Sequence, residues 1–431
     1  MKRQKGSAWW LHPSSSRSIR VKDSLISIIT AFIAILLLSG IFSALYSIAP
    51  AQSTLQTTTI ASSPPLTANL LWNYTHVNDI FHRPIVVNGI VYVNAQVDSC
   101  VAAINAETGV EIWYHHSGSN LSTFSSLAVA NDIAYINSQG MFWALNTLDG
   151  TELWRYPIGS DSSPTVVDGV VYVGSTISDE GQTEGSVVAL DAINGTKLWH
   201  VPLGNQLYSA MSSPAVVDGV VYIGASDNNV YALSAKNGET LWHFTTGASV
   251  ISSPTVVDGK VYIGSNDHNI YALNATSGEK FWSYKTGDVV LSSPVVVDSI
   301  VYIGSSDCNA YALDASNGGK LWNYTTGGRV DVTPTVANGV MYISSHDGGL
   351  YCLNAFNGEK LWSIYTELFF GSPTAVDDIV YVAAFPSLYA FSTIAVSSAS
   401  HTPLYSIIIG VIAISIVGTI VIRRHLKIRE C

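Results

Sequence analysis

Eight tryptophans, Trp72, Trp113, Trp154, Trp199, Trp242, Trp282, Trp322 and Trp362, recur along the chain at almost even spacing. A chain with so regular a period must stack like units side by side, because one such unit cannot bury its own apolar surface. The clearest copy runs SSPTVVDGKVYIGSNDHNIYALNATSGEKFWSYKTG, from Ser252 to Gly287. It predicts four short strands: 254–257, closed by the hairpin signal Asp258-Gly259; 261–264; 270–274 after a turn at 266–269; and 280–285, which carries Trp282. Four strands in a repeat of this length is the pattern of a propeller blade. The composition agrees: 12% charged residues with 34 Gly and 22 Tyr suit short strands and tight turns better than helical bundles.

One motif within the repeat is rigid: Ala-x-Asn/Asp-x-x-x-Gly-x-x-x-Trp, with the alanine at a fixed distance before the tryptophan. It begins at Ala103, Ala144, Ala189, Ala232, Ala272 and Ala312; a seventh copy starts at Cys352, and Ser234 replaces Asn or Asp in the fourth copy. The glycine supplies the positive φ of a tight turn, and the alanine is expected to leave room for an indole from a neighbouring element. A docked indole removes roughly 150–250 Å² from water, about 4–6 kcal/mol as a gross upper bound. The eight tryptophans are therefore expected to be structural rivets between blades.

The inner-strand segment recurs near His82, Ser125, Ser162, Ser212, Ser252, Ser292, Val332 and Gly371, whereas the first tryptophan lies before the first of these. The last unit, 371–392, ends at LYAFST without a tryptophan after it. The sequence thus predicts an all-β, eight-bladed propeller of four-stranded blades over 68–393. In it, 70–74 supplies the missing outer strand of the last blade and so removes the exposed sheet edge.

Two apolar runs flank this region. Residues 25–48 and 404–422 are each long enough to cross a bilayer as a helix. Arg17, Arg20 and Lys22 precede the first, and Arg423, Arg424, Lys427 and Arg429 follow the second. The positive-inside rule places both ends in the cytoplasm and 50–401 outside. The expected organisation is a basic tail (1–23), a transmembrane anchor or cleaved signal peptide (24–49), a Ser/Thr/Pro-rich stalk (50–67), the propeller (68–393), a short stalk (394–403), a transmembrane helix (404–422) and a basic tail (423–431). Ala49-Pro50-Ala51 resembles a cleavage site, while the length of the run favours an anchor. Either way the propeller is expected at the cell membrane on the extracytoplasmic side. Candidate glycosylation acceptors there are Asn73, Asn120, Asn194, Asn274 and Asn323.

Residues 50–401 hold 29 acidic against 10 basic side chains, which disfavours nucleic acid and anionic surfaces as partners. Cys100, Cys308, Cys352 and Cys431 form no CxxC, so neither a zinc site nor a redox pair is indicated. Asp227, Asp267, Asp307 and Asp347 recur at one turn and read as turn formers. His115, His116, His200 and His243 lie after docked tryptophans without ligand spacing. The acidic insertion 178–185 reads as a solvated loop in preference to a weak calcium site. Aligning the residue before each inner segment yields Phe81, Phe124, Asp161, Met211, Ile251, Leu291, Asp331 and Phe370. These either ring one mouth of a central channel as a binding surface or pack beneath loops. Arg83 interrupts the Ser-Ser-Pro pattern and could pair with Asp161 or Asp331, or meet an anionic ligand.

The docking motif with its VYIGS…YAL…LW unit, from Leu70 to Ser392, resembles the pyrroloquinoline quinone (PQQ)-type repeat family. The resemblance implies one of two functions. Quinoprotein alcohol dehydrogenases bind PQQ and calcium and use a vicinal disulfide, a carboxylate base and long insertions; this chain has no adjacent cysteines and near-minimal blades. The other branch, nearer in character, resembles the propeller lipoprotein of bacterial outer-membrane assembly, which binds partners without a cofactor. The expectation is a membrane-anchored scaffold for a protein or surface polymer, with no catalytic, cofactor or metal residues. A PQQ- and calcium-dependent oxidoreductase is the alternative, and a purely structural envelope component a third reading.

Overall fold

The computed structural model describes residues 68–393, apart from 76–81, 96–99, 117–125, 139, 160–161, 176–184, 204–211, 367–370 and 385–386. Both tails, both apolar runs and both stalks lie outside the described residues, and among the described residues no helix is long and apolar enough to cross a membrane. The described chain is all strand and turn. Thirty-two strands form eight four-stranded antiparallel sheets, each a meander in chain order except the last. The best copy of the repeat folds as Thr255–Val257, Lys260–Gly264, Asn269–Asn274 and Lys280–Lys285, within a residue or so of the predicted bounds.

The last sheet combines Thr374–Val376, Ile379–Ala384 and Ser387–Ser392 with Asn69–Tyr74 from the opposite end of the domain. The register runs from Asn69 opposite Ser392 to Tyr74 opposite Leu388. The predicted closure is thus the observed one. Blades meet through their inner strands in a complete circle: each inner strand contacts the next, and the eighth contacts the first.

Seven of the eight tryptophans tie their blade to the following one by a hydrogen bond. The Nε1–H groups of Trp72, Trp113, Trp154, Trp199, Trp242, Trp282 and Trp322 donate to the carbonyls of Ala106, Thr147, Ala192, Ala235, Ala275, Ala315 and Ala355, at 2.7–3.1 Å. These carbonyls belong to the turn of the next blade. The glycine of that turn has two functions. Its φ is near +70°, as expected, and its missing Cβ makes room for the indole: a Cβ on Gly318 would lie 2.6 Å from the Trp282 ring. The motif alanine is not the foreign seat predicted for it. Ala272 lies directly opposite Trp282 in the same sheet, as Ala103 does opposite Trp113. It keeps the ladder face thin beneath its own indole, and the neighbouring blade contributes the glycine.

Sequence reading also missed a second donor. Each tryptophan sits beside a tyrosine of its own blade, with ring centroids 5.8–6.1 Å apart in all eight blades. The Tyr262 hydroxyl donates to the Ala315 carbonyl at 3.1 Å, the acceptor that Trp282 also uses, and Tyr135, Tyr172, Tyr222, Tyr302 and Tyr381 repeat the pattern. Both lone pairs of one buried carbonyl are thereby used. Burial raises the Tyr302 phenol to about 12, so it stays a donor across the physiological range. Tyr262→Phe is expected to cost about 0.5–1.5 kcal/mol, read by chemical denaturation, since Trp282 still satisfies the acceptor.

The recurring aspartates are turn formers, and Asp267, Asp307 and Asp347 also join blades. Asp267 accepts from the Asn269 backbone N–H at 2.9 Å, from the Tyr271 hydroxyl at 2.6 Å, and from the backbone N–H of Gly247 in the preceding blade at 2.7 Å. Asp307 and Asp347 repeat all three types of link. Burial alone would raise the Asp267 and Asp347 carboxyls, but these hydrogen bonds outweigh it and hold both below the usual carboxylate range. A carboxyl depressed in the folded state stabilises the fold above its unfolded pKa of about 4. That stabilisation is lost as pH falls through the lower folded value. Melting in a pH series should therefore be level near neutrality and fall below about pH 4. Asp267→Asn should flatten the fall.

Candidate functional site

The inner strands surround a cavity of about 430 Å³ on the ring axis. Its wall is the repeated Ser-Ser-Pro segment. The first serine points away from the axis into its own blade: the Oγ atoms of Ser162, Ser212, Ser252 and Ser292, all fully buried, accept backbone N–H groups of Gly174, Gly224, Gly264 and Gly304 at 3.0–3.1 Å. The second serine lines the cavity and links neighbours. The N–H groups of Ser126, Ser163, Ser213 and Ser253 donate to the Oγ atoms of Ser163, Ser213, Ser253 and Ser293 at 2.9–3.0 Å, and Thr333 N–H donates to Ser372 Oγ at 3.0 Å. The proline adds no N–H that would need a partner. Its carbonyl accepts from a threonine one blade earlier: Thr165 to Pro214, Thr255 to Pro294, Thr335 to Pro373 and Thr374 to Pro84, at 2.5–2.6 Å.

The first blade departs from this pattern, because Arg83 replaces the second serine. Its Nε donates to Thr374 Oγ1 at 3.2 Å and its Nη2 to Thr335 Oγ1 at 3.4 Å. Arg83 lines the cavity, and burial lowers its pKa. Of the two carboxylates expected as partners, Asp161 lies outside the described residues. Asp331 is engaged elsewhere: its Oδ1 accepts from Ser306 Oγ at 2.5 Å, and its Oδ2 is 3.3 Å from His346 Nε2 and 3.6 Å from Arg329 Nε. Arg83 therefore does not pair with Asp331.

Of the predicted mouth residues, Phe81, Phe124, Met211 and Phe370 also lie outside the described residues. Ile251, Leu291 and Asp331 are half-buried, and none of the three lines the cavity. The wall itself comes from residues two places further along, which sequence reading had noticed only as the background that Arg83 interrupts. The repetition of the second serine was the available signal.

The other candidates separate. Among the described residues, no three of His, Cys, Asp and Glu come close enough to hold a metal ion. His115 is half-buried against Trp143 with ring centroids 5.8 Å apart, and burial lowers its pKa. Cys100 is buried, and Cys308 and Cys352 are free thiols. Cys308 occupies a turn position with φ +70°, where the neighbouring repeats carry Asn228, His268 and Gly348. Of the glycosylation candidates, Asn73, Asn194 and Asn323 are exposed. Asn274 is half-buried and its Oδ1 accepts two N–H groups of its own turn, at 2.8 and 3.0 Å. Asn120 and most of the acidic insertion lie outside the described residues.

The described wall does not fit PQQ with calcium. A calcium ion needs oxygen ligands that include carboxylates, and the described wall has none. It offers hydroxyls, prolines, aliphatic side chains and one guanidinium.

Comparison with known proteins places the fold in a family. A family profile described as outer membrane protein assembly factor BamB matches residues 52–181 and 183–395. Curated relatives with the same description are those of Salmonella typhimurium, 35% identical over 98 residues (20% of this chain, 25% of the relative), and of Burkholderia pseudomallei, 31% identical over 103 residues (23% and 27%). The chain thus matches about a quarter of the length of either relative. Among solved structures, BamB from Moraxella catarrhalis superposes with a TM-score of 0.64 at 17% identity, covering 76% of this chain and all of the other. The quinohemoprotein alcohol dehydrogenase of Comamonas testosteroni reaches 0.64 at 16% identity, covering 81% and 80%. Identities this low show the propeller fold alone, and both branches of the fold are represented. The profile match spans most of the chain, and on that basis the protein belongs to the PQQ-type repeat family described as outer membrane protein assembly factor BamB.

Proposed function

We propose that the protein is a non-catalytic propeller scaffold, held at a membrane with its ring on the extracytoplasmic side, which binds a protein partner of an envelope assembly. The observation that carries this reading is the channel wall. Most of the polar side chains in the described wall hold a neighbouring blade, as Ser163, Ser213, Ser253, Ser293, Ser372 and Thr255 do, and none is a carboxylate. The family description, outer membrane protein assembly factor, supports a role in assembly over one in oxidation. The basic flanks of the two apolar runs support the topology.

The test has two parts. The full-length chain, purified in detergent, is incubated with PQQ and calcium and followed by absorbance and dye-linked alcohol oxidation. The expected outcome is no retained chromophore and no turnover; cofactor retention with turnover would overturn the scaffold reading. Proximity labelling from the propeller on intact cells should then enrich a small, reproducible set of envelope proteins. Ile251→Glu with Leu291→Glu should reduce that enrichment several-fold while the melting midpoint holds. Unchanged labelling would remove this rim from the binding surface.

A further inference from the structure

We propose that the axial cavity is a binding site for a small oxyanion, a free carboxylate or phosphate group, held by Arg83 and the ring of serine hydroxyls. The inference concerns the channel interior and does not depend on a partner docking at the rim.

The first observation is the donor inventory. A guanidinium carries five N–H donors. Two of those on Arg83 reach threonine oxygens, at 3.2 and 3.4 Å, which are long for charged donors. Those threonines have already given their own protons to the Pro84 and Pro373 carbonyls. No carboxylate pairs with Arg83 among the described residues. Among the described residues this buried cation meets only neutral hydroxyls, which compensate it poorly.

The second observation is independent of Arg83. Ser163, Ser213, Ser253, Ser293 and Ser372 each use Oγ as an acceptor for a backbone N–H of the preceding blade. A hydroxyl so engaged still has its own O–H to give. All five serines line the cavity, whose described wall carries neither Asp, Glu nor His side chains. The site therefore presents donors from several directions around one positive charge. That is the chemistry of an oxyanion and the opposite of a metal site. A volume of about 430 Å³ admits a small anion with water. The propeller as a whole is acidic, which opposes anions at long range, but at physiological salt the field decays over about 8 Å and close contacts decide.

The repeat itself supplies the control. Arg83→Ser restores the residue that most other blades carry, so the ring should stay intact. Inorganic phosphate and malonate are titrated separately into the full-length chain in detergent, at ionic strength held constant with chloride, and followed by thermal melting and titration calorimetry. At about ten times the dissociation constant, the wild-type midpoint should rise by about 1–3 °C with one or both anions. Whether phosphate, malonate or both act identifies the group recognised. Arg83→Ser should bind at least tenfold more weakly, and Arg83→Gln, which keeps hydrogen-bond donors without charge, should show the same loss. No rise in the wild type, or an equal rise in both variants, overturns the proposal.

Discussion

Trp282→Ala is expected to lower the stability of the propeller by about 3–5 kcal/mol, the cost of truncating a large buried aromatic side chain. Trp282 is 8% exposed, packs beside Tyr262 and donates to the Ala315 carbonyl of the next blade. Its loss leaves a cavity at a blade junction while Tyr262 keeps the carbonyl satisfied, so the cavity term dominates. A paired substitution separates packing from hydrogen bonding. Gly318→Ala leaves the indole and its donor in place but puts a Cβ 2.6 Å from the ring, at φ +75°. Overpacking and a left-handed non-glycine residue together should cost about 2–4 kcal/mol. If chemical denaturation shows less than about 1 kcal/mol for both, the junctions are not held as described.

The second large effect concerns closure. Deleting residues 68–75 removes the outer strand of the last blade and, with it, Trp72, which sits over Gly109 and donates to the Ala106 carbonyl of the first blade. Tyr74 is lost as well; its hydroxyl donates to Glu111 in the first blade. The deletion exposes Ser387–Ser392 as an unpaired edge, a template for association between chains. The melting midpoint should fall by about 10 °C or more, and light scattering should show oligomers. A deletion variant that stays monodisperse with an unchanged midpoint would refute closure.

What the sequence made legible follows from what repeats. The strand count, the hairpins at Asp258-Gly259 and the tryptophan rivets recur in register, so each copy corroborates the others. Closure was legible because Trp72 stands before the first inner strand and no tryptophan follows LYAFST. The partner of each indole was not, because Ala272 and Gly318 both read as small residues. Only the sheet register shows that the alanine lies under its own tryptophan and the glycine under its neighbour's. Tyr262 was missed for a similar reason: in VYIG a tyrosine reads as an ordinary strand former until its hydroxyl is seen beside the indole nitrogen. The channel wall was missed by an offset. The residue before the Ser-Ser-Pro segment looked distinctive because it varies, whereas the wall is made by the serine that hardly varies. Arg83 stood out in both readings, since it is the one cation in that alignment.

All of this depends on the first strand completing the last blade, for without closure there is no axial channel. Asn73 and Tyr389 face each other in that pairing, and opposed residues of antiparallel strands hold their Cβ atoms about 4.5–5.5 Å apart, near the span of a disulfide. In a full-length chain whose native cysteines are replaced, Cys352 by the alanine of the other repeats, Asn73→Cys is combined with Tyr389→Cys and oxidised mildly. Closure predicts an intramolecular disulfide in most molecules, a higher melting midpoint, and little bond formation when Asn73→Cys is combined instead with Phe391→Cys. Failure of the 73–389 pair to bond, or bonding only between chains, would contradict the closed ring.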